Sequence, residues 1–168
     1  MADYHFVTTC EIQAPMEQVW DALRDFGSYP TWQEHIVQAQ MIESGGSDGV
    51  GEKIRLKVKG RLPFTLAIGI TVTQADPPRT LELRALGELE GVGRWTLSQH
   101  VATTTASFTW DVRTTKRWMN LLAPLARPFF ERNHDGVMRE FGQDLARFLG
   151  ARLIRIEVGS RARSNSPG

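Results

Sequence analysis

Between Pro124 and Leu149 apolar residues recur every three or four positions. Ala126, Phe130, Val137, Phe141, Leu145 and Phe148 fall on one helical face, and His134 sits among them. A helix over that span has about 26 residues and runs about 39 Å at about 1.5 Å per residue. No other stretch keeps this pattern for so long. Whatever precedes the helix must therefore build a surface long enough to cover its apolar face. Pro124 and Pro128 each lack an N–H and crowd the preceding turn. The region is expected to split into a short lead-in holding Trp118 and a main helix that starts at residue 124 or beyond.

The preceding chain alternates. Tyr4 to Gln13 reads as a strand, with β-branched Val7, Thr8, Thr9 and Ile12. Ala14-Pro15 opens a helix that places Val19, Trp20 and Leu23 on one face. Gly27 stops it, and Ser28 is placed to cap a short second helix carrying Tyr29, Pro30 and Trp32. Ile36 to Glu43 is the second strand. The run from Gly45 to Gly51 reads as a turn; it lacks the Lys-Ser or Lys-Thr ending of a phosphate loop and leads into a strand. Ile54, Leu56 and Val58 then alternate with Lys53, Arg55, Lys57 and Lys59, the pattern of a strand with one buried and one wet face. Leu62-Pro63 reads as a tight turn. Phe64 to Thr73, Leu81 to Arg84, Trp95 to Ser98 and Ala106 to Arg113 repeat the alternation, with a loop expected at residues 88–91. Residues 151–158 fit either a helical continuation or a further β-like segment.

One strand, two short helices, six strands with short turns and one long helix make an α+β chain with an antiparallel sheet. A sheet with one apolar face and a single long helix is satisfied when about seven curved strands wrap around that helix.

Charge and cysteine usage narrow the function. The net charge is +1, but residues 151–168 hold Arg152, Arg155, Arg161 and Arg163 against Glu157, so the other 150 residues carry −2. A body of that charge is not expected to bind nucleic acid. The tail from Ser160 to Gly168 reads as basic and disordered. Lone Cys10 rules out a disulfide within the chain and any cysteine-rich zinc site. His5, His35, His100 and His134 stand at no metal-ligand spacing, so no metal is expected. The opening Met1-Ala2-Asp3-Tyr4-His5 is polar and lacks Lys and Arg, and no apolar run reaches the roughly 18 residues of a membrane span. A cytoplasmic protein without stable membrane insertion is expected, in an oligomeric state left open.

Several phrases resemble the helix-grip superfamily of START-like and Bet v 1-like proteins, and most nearly its bacterial polyketide cyclase/dehydrase and lipid-transport branch. They are Ile12-Gln13-Ala14-Pro15-Met16-Glu17-Gln18-Val19-Trp20, Leu23-Arg24-Asp25-Phe26-Gly27-Ser28-Tyr29-Pro30-Thr31-Trp32, the turn ending Gly49-Val50-Gly51, and the long terminal helix. The resemblance spans about residues 4–150. It implies one helix-grip domain over 1–150, an extension over 151–168, and an apolar cavity between sheet and helix. It implies no cofactor and no shared catalytic set, because the superfamily holds carriers, binders and a few enzymes.

The candidate site follows from the faces. Phe64, Ile68, Trp95, Phe108 and Trp110 point to the inner side of the sheet, and the two indoles would each add an N–H able to orient a polar ligand atom. Phe130, His134 and Met138 face them from the helix. Tyr29, Trp32 and His35 lie in the short-helix region that forms the cavity mouth in such folds. His134 is the candidate proton shuttle, since imidazole titrates near neutral pH. The expected partner is a small apolar molecule such as a lipid, an isoprenoid or a polyketide-like compound. The alternative is an aromatase/cyclase that closes and dehydrates a poly-β-keto chain.

Overall fold

The computed structural model describes residues 3–61 and 63–160. The expected tight turn at Leu62-Pro63 and all but the first residue of the expected disordered tail rest on residues outside that set. Strand β1 (Asp3–Ile12) leads into α1 (Met16–Arg24), a 3-10 turn at Phe26–Ser28, and α2 (Tyr29–Trp32). Strands β2 (Ile36–Glu43), β3 (Lys53–Val58), β4 (Leu66–Asp76), β5 (Thr80–Gly87), β6 (Leu89–His100) and β7 (Thr103–Thr114) follow. Helix α3 (Arg117–Phe148) and strand β8 (Leu153–Ser160) complete the described chain.

All strands join one antiparallel sheet in the order β2-β3-β4-β5-β6-β7-β1-β8. The sheet therefore has eight strands, one more than the sequence suggested. The added one is β8, which pairs with β1 from Phe6↔Ser160 to Ile12↔Leu153. The alternatives open for residues 151–158 resolve to a strand because β1 offers an unpaired edge that backbone donors and acceptors satisfy. Part of the segment expected as an extension is thus built into the sheet.

The seven strands before α3 connect in hairpin fashion, except that β1 crosses by way of α1 and α2 to the far edge. The turn before β3 uses Gly49 at φ +81° and Gly51 at φ +88°, where a Cβ is strained. Arg24 at the end of α1 donates to the Glu52 carboxylate at 2.5 Å and reaches the Gly49 carbonyl at 3.4 Å, which ties the turn to the helix. The loop expected at residues 88–91 is shorter than that. Only Glu88 separates β5 from β6, because Leu89, Glu90 and Gly91 already pair with Thr114, Arg113 and Val112 of β7.

Helix α3 differs from expectation at its start. Pro124 and Pro128 lie inside one continuous helix from Arg117 to Phe148, so Trp118 belongs to the same helix rather than to a lead-in. The two N–H···O bonds that the prolines cannot make fall in a stretch open to water. There Trp118, Leu121, Leu122, Leu125 and Phe129 are exposed. Burial is concentrated in the second half, at Met138, Phe141, Leu145 and Ala146. Gly142 lets the helix come close to β8 and β1: a Cβ there would stand 2.5 Å from Ile156 Cδ1 and 3.8 Å from the Cys10 Cβ. Phe148, read as part of the inner stripe, is instead exposed and stacks on Trp32 at 5.2 Å between ring centres.

On β6 Gly93 shares the inner face with Trp95 and Leu97 and stands opposite Trp110 of β7. A Cβ at Gly93 would lie 2.7 Å from the Trp110 ring and 2.9 Å from Phe108. The missing side chain is what lets both rings lie flat over β6. Gly93→Ala is expected to cost about 1–3 kcal/mol through overpacking. The check is the midpoint of urea unfolding; an unchanged midpoint would mean the rings move aside freely.

Candidate ligand-binding cavity

Inward side chains of six strands, the α2–β2 junction and α3 between Met119 and Phe141 line a cavity of about 240 Å³. The sheet contributes this wall because strand side chains alternate, so every second residue from β1 to β7 faces the helix. Trp95 stacks on Phe108 at 4.7 Å and on Phe141 at 5.8 Å, and Phe108 stacks on Trp110 at 5.6 Å. This aromatic layer is the floor. Leu56, Ile68, Ile70 and Leu83 extend it toward β3.

Of the residues proposed from sequence, Trp95, Trp110, Phe108, Ile68, Tyr29, Phe130, His134 and Met138 line the cavity. Phe64, Trp32 and His35 do not. Phe64 precedes β4, which begins at Leu66, so it escapes the alternation and packs edge-on against Trp118 at 5.3 Å. Trp32 turns to the flank of α3, between Phe141 and Phe148, and its indole N–H donates to Ser28 Oγ at 3.0 Å. His35 is buried and bonds the Glu140 carboxylate of α3 through Nε2. Arg61 engages the same carboxylate, and Arg61 and then His35 hold the Glu140 carboxyl below the usual carboxylate range. This clamp fixes α3 to the α2–β2 junction rather than meeting a ligand.

Sequence reasoning missed Tyr4, Phe6, Gln33, Met119 and Asn133 as lining residues. For Tyr4 and Phe6 the signal was present: β1 buries every second residue from Tyr4 to Ile12. Gln33 and Asn133 carry no local signal at all.

Most polar groups in the lining are satisfied. Tyr29 donates its hydroxyl to the Leu23 carbonyl at 2.5 Å, Thr114 to Asn120 Oδ1 at 2.6 Å, and Asn133 Oδ1 accepts from the Arg61 N–H at 2.9 Å. Three lining residues each carry a buried atom with no hydrogen-bond partner among the described residues: the Tyr4 hydroxyl, Gln33 Nε2 and His134 Nδ1. His134 stacks on Phe6 at 3.7 Å, and its Nδ1 is 3.6 Å from Asp135 Oδ1, too far for a hydrogen bond. Burial pushes its imidazole below the ordinary value of 6.5, against the opposing pull of Asp135. The ring is therefore neutral at pH 7. Cys10 is buried, with its thiol pushed up to about 12 by desolvation, so it is an inert core residue. Among the described residues, no group of three His, Cys, Asp or Glu is arranged to hold a metal ion, and no helix is long and apolar enough to cross a membrane.

A curved antiparallel sheet gripping one long helix over an apolar cavity defines the helix-grip class of proteins. Residues 3–148 match the family model described as polyketide cyclase / dehydrase and lipid transport, and the chain belongs to that family. No curated protein matches it. Among solved structures it is similar to a START superfamily protein from Mycobacterium smegmatis, with 16% identity, 87% of this chain and 97% of that one covered, and a TM-score of 0.71. It is similar to the Zhui aromatase/cyclase from a Streptomyces species, with 19% identity, 89% and 94% covered, and a TM-score of 0.72. The di-domain ARO/CYC BexL matches with 17% identity and a TM-score of 0.69 over 89% of this chain and 51% of that one. At these identities the likeness is one of fold.

The buried imidazole has a consequence for stability. As pH falls below 6.5 the unfolded chain takes up a proton that folded His134 resists. The stability tied to the neutral ring is thus present above 6.5 and lost below it. His134→Phe keeps the stack on Phe6 and removes the titration. The Tm of the wild type is expected to drop more than that of the variant between roughly pH 7.5 and pH 5. Parallel Tm curves over that range would show that His134 protonates freely in the fold.

Proposed function

We propose that the protein binds or carries a small, largely apolar molecule in the cavity between its sheet and α3. The observation that carries this reading is the cavity wall itself: aromatic and aliphatic over nearly its whole extent, with a few polar atoms set into it. Ligand sites have this make-up, in which apolar burial supplies the binding energy and isolated polar groups set orientation. At about 25 cal/mol per Å² of apolar surface removed from water, a modest ligand gains several kcal/mol before its ordering costs. Family membership supports the same reading, since the family description includes lipid transport.

A ligand that binds only the folded state raises stability by about 2.7 kcal/mol at a hundred times its Kd. Native mass spectrometry of gently purified protein is expected to show a retained small molecule. A panel of lipids, isoprenoids and aromatic polyketides is expected to contain members that raise the Tm by several degrees. A protein that carries nothing and responds to no apolar compound would sink the proposal.

A second reading is a cofactor-independent aromatase/cyclase. It is favoured by His134, whose neutral ring borders the cavity with Nδ1 unbonded, as acid/base work on a bound poly-β-keto chain requires. The fold likeness to Zhui is consistent with it. His134→Leu is expected to lower turnover of a poly-β-keto thioester about 100-fold or more if His134 shuttles the proton. Unchanged turnover would remove the acid/base role and leave binding as the function.

A further inference from the structure

Gln33 is a residue of the cavity wall whose side-chain orientation the fold dictates. It follows α2 and is 2% exposed. Its Oε1 accepts two backbone N–H bonds, from His35 at 2.8 Å and from Ile36 at 2.8 Å, and so closes the α2–β2 turn. That pair of donors decides which way the carboxamide points, because the flipped amide would set its own N–H groups against two others. Nε2 is thereby held on the opposite side, buried and without a partner, in a residue that lines the cavity. Lining residues close to it in sequence, Phe26, Ile36 and Tyr29, present apolar bodies to the cavity, and the Tyr29 hydroxyl is engaged by the Leu23 carbonyl. An amide N–H₂ in such surroundings donates and cannot accept. Left unbonded it forgoes the hydrogen bond that it makes to water in the unfolded chain.

We propose that Gln33 is a specificity-determining donor, and that the cavity selects apolar ligands bearing a carbonyl-type oxygen acceptor over equally shaped hydrocarbons. This rests on the cavity reading above and adds the ligand's chemical class and its direction of binding. The oxygenated end lies at the α2–β2 junction. That junction sits at the level of residues 140–144 of α3, because the Glu34 N–H reaches Asp144 Oδ2 at 3.4 Å and His35 bonds Glu140. The unpartnered atoms of the other two lining residues, His134 Nδ1 and the Tyr4 hydroxyl, stand toward the opposite end. His134 is six to ten residues earlier on α3, about 9–15 Å away along the axis at about 1.5 Å per residue. A site built to bond an oxygen rejects the analogue that lacks it, since the buried donor is then left unpaired.

The test is a matched pair of probes, methyl naphthyl ketone and the isosteric isopropenylnaphthalene, titrated calorimetrically into the full chain. The ketone is expected to bind on the order of tenfold more tightly or better. In Gln33→Met, which retains length but has no donor, the two Kd values are expected to converge while the hydrocarbon still binds. Nitrogen-edited NMR of the wild type gives a readout independent of that variant's folding. The Gln33 side-chain amide signal is expected to shift with ketone and not with hydrocarbon. Equal affinity of the two probes for the wild type, or an unmoved Gln33 signal with bound ketone, overturns the inference while leaving the cavity reading intact. If neither probe binds, this inference falls, and the cavity reading is decided by the wider panel of lipids, isoprenoids and polyketides.

Discussion

The close approach of α3 to β1 and β8 at Gly142 is the contact on which the architecture depends. Without a side chain at that position the helix settles onto Ile156 and Cys10. Its next turns then bury Leu145 completely against the sheet. The helix is thus pinned at its C-terminal half. The seven strands of β2 to β7 and β1 curve from that seam and come around the opposite face. Because the pinned turns lie at one end, the sheet and helix diverge toward residues 130–141. The cavity is a result of that divergence: the sheet's inner side chains have helix to pack against near Leu145 and only partly so near Phe130.

Polar groups around α3 fall into two sets, bonded and unbonded. Close to the seam, polar groups serve as fasteners. Glu140 joins His35 and Arg61, and Asp144 meets the Glu34 N–H. Tyr4, Gln33 and His134, which line the cavity, each leave an atom unbonded. Buried polar groups without partners are costly and few. Of the five such side-chain atoms among the described residues, those of Tyr4, Gln33 and His134 belong to residues that line the cavity and those of Thr8 and Asp135 do not.

How much was readable beforehand depended on whether a residue's position followed from local periodicity. Trp95, Phe108 and Trp110 were placed because strands alternate and their neighbours are plainly polar. Phe64 obeyed the same alternation on paper, yet β4 begins two residues later and the pattern had no strand to act on. Trp32 and His35 were assigned by region, and their final direction was decided by Phe148 and Glu140, both more than 100 residues away in sequence. Pro124 and Pro128 misled because proline's local cost was weighed without the helix's packing and solvent exposure. Gln33 could not be found from sequence, since nothing marks a glutamine whose oxygen is occupied by the next turn.

The sequence by itself determined the class of fold. Alternating apolar residues over seven segments, the phrase from Ile12 to Trp32 and one long amphipathic stripe admit few arrangements other than a sheet around a helix, because period and burial are local consequences of strand and helix geometry. Only the tertiary structure decided that residues 153–160 add an eighth strand, where the helix touches and where it stands away, and which polar atoms remain unsatisfied. Those outcomes depend on contacts between residues distant in the chain. Packing and hydrogen-bond satisfaction are properties of the assembled neighbourhood, and no stretch of sequence carries them alone.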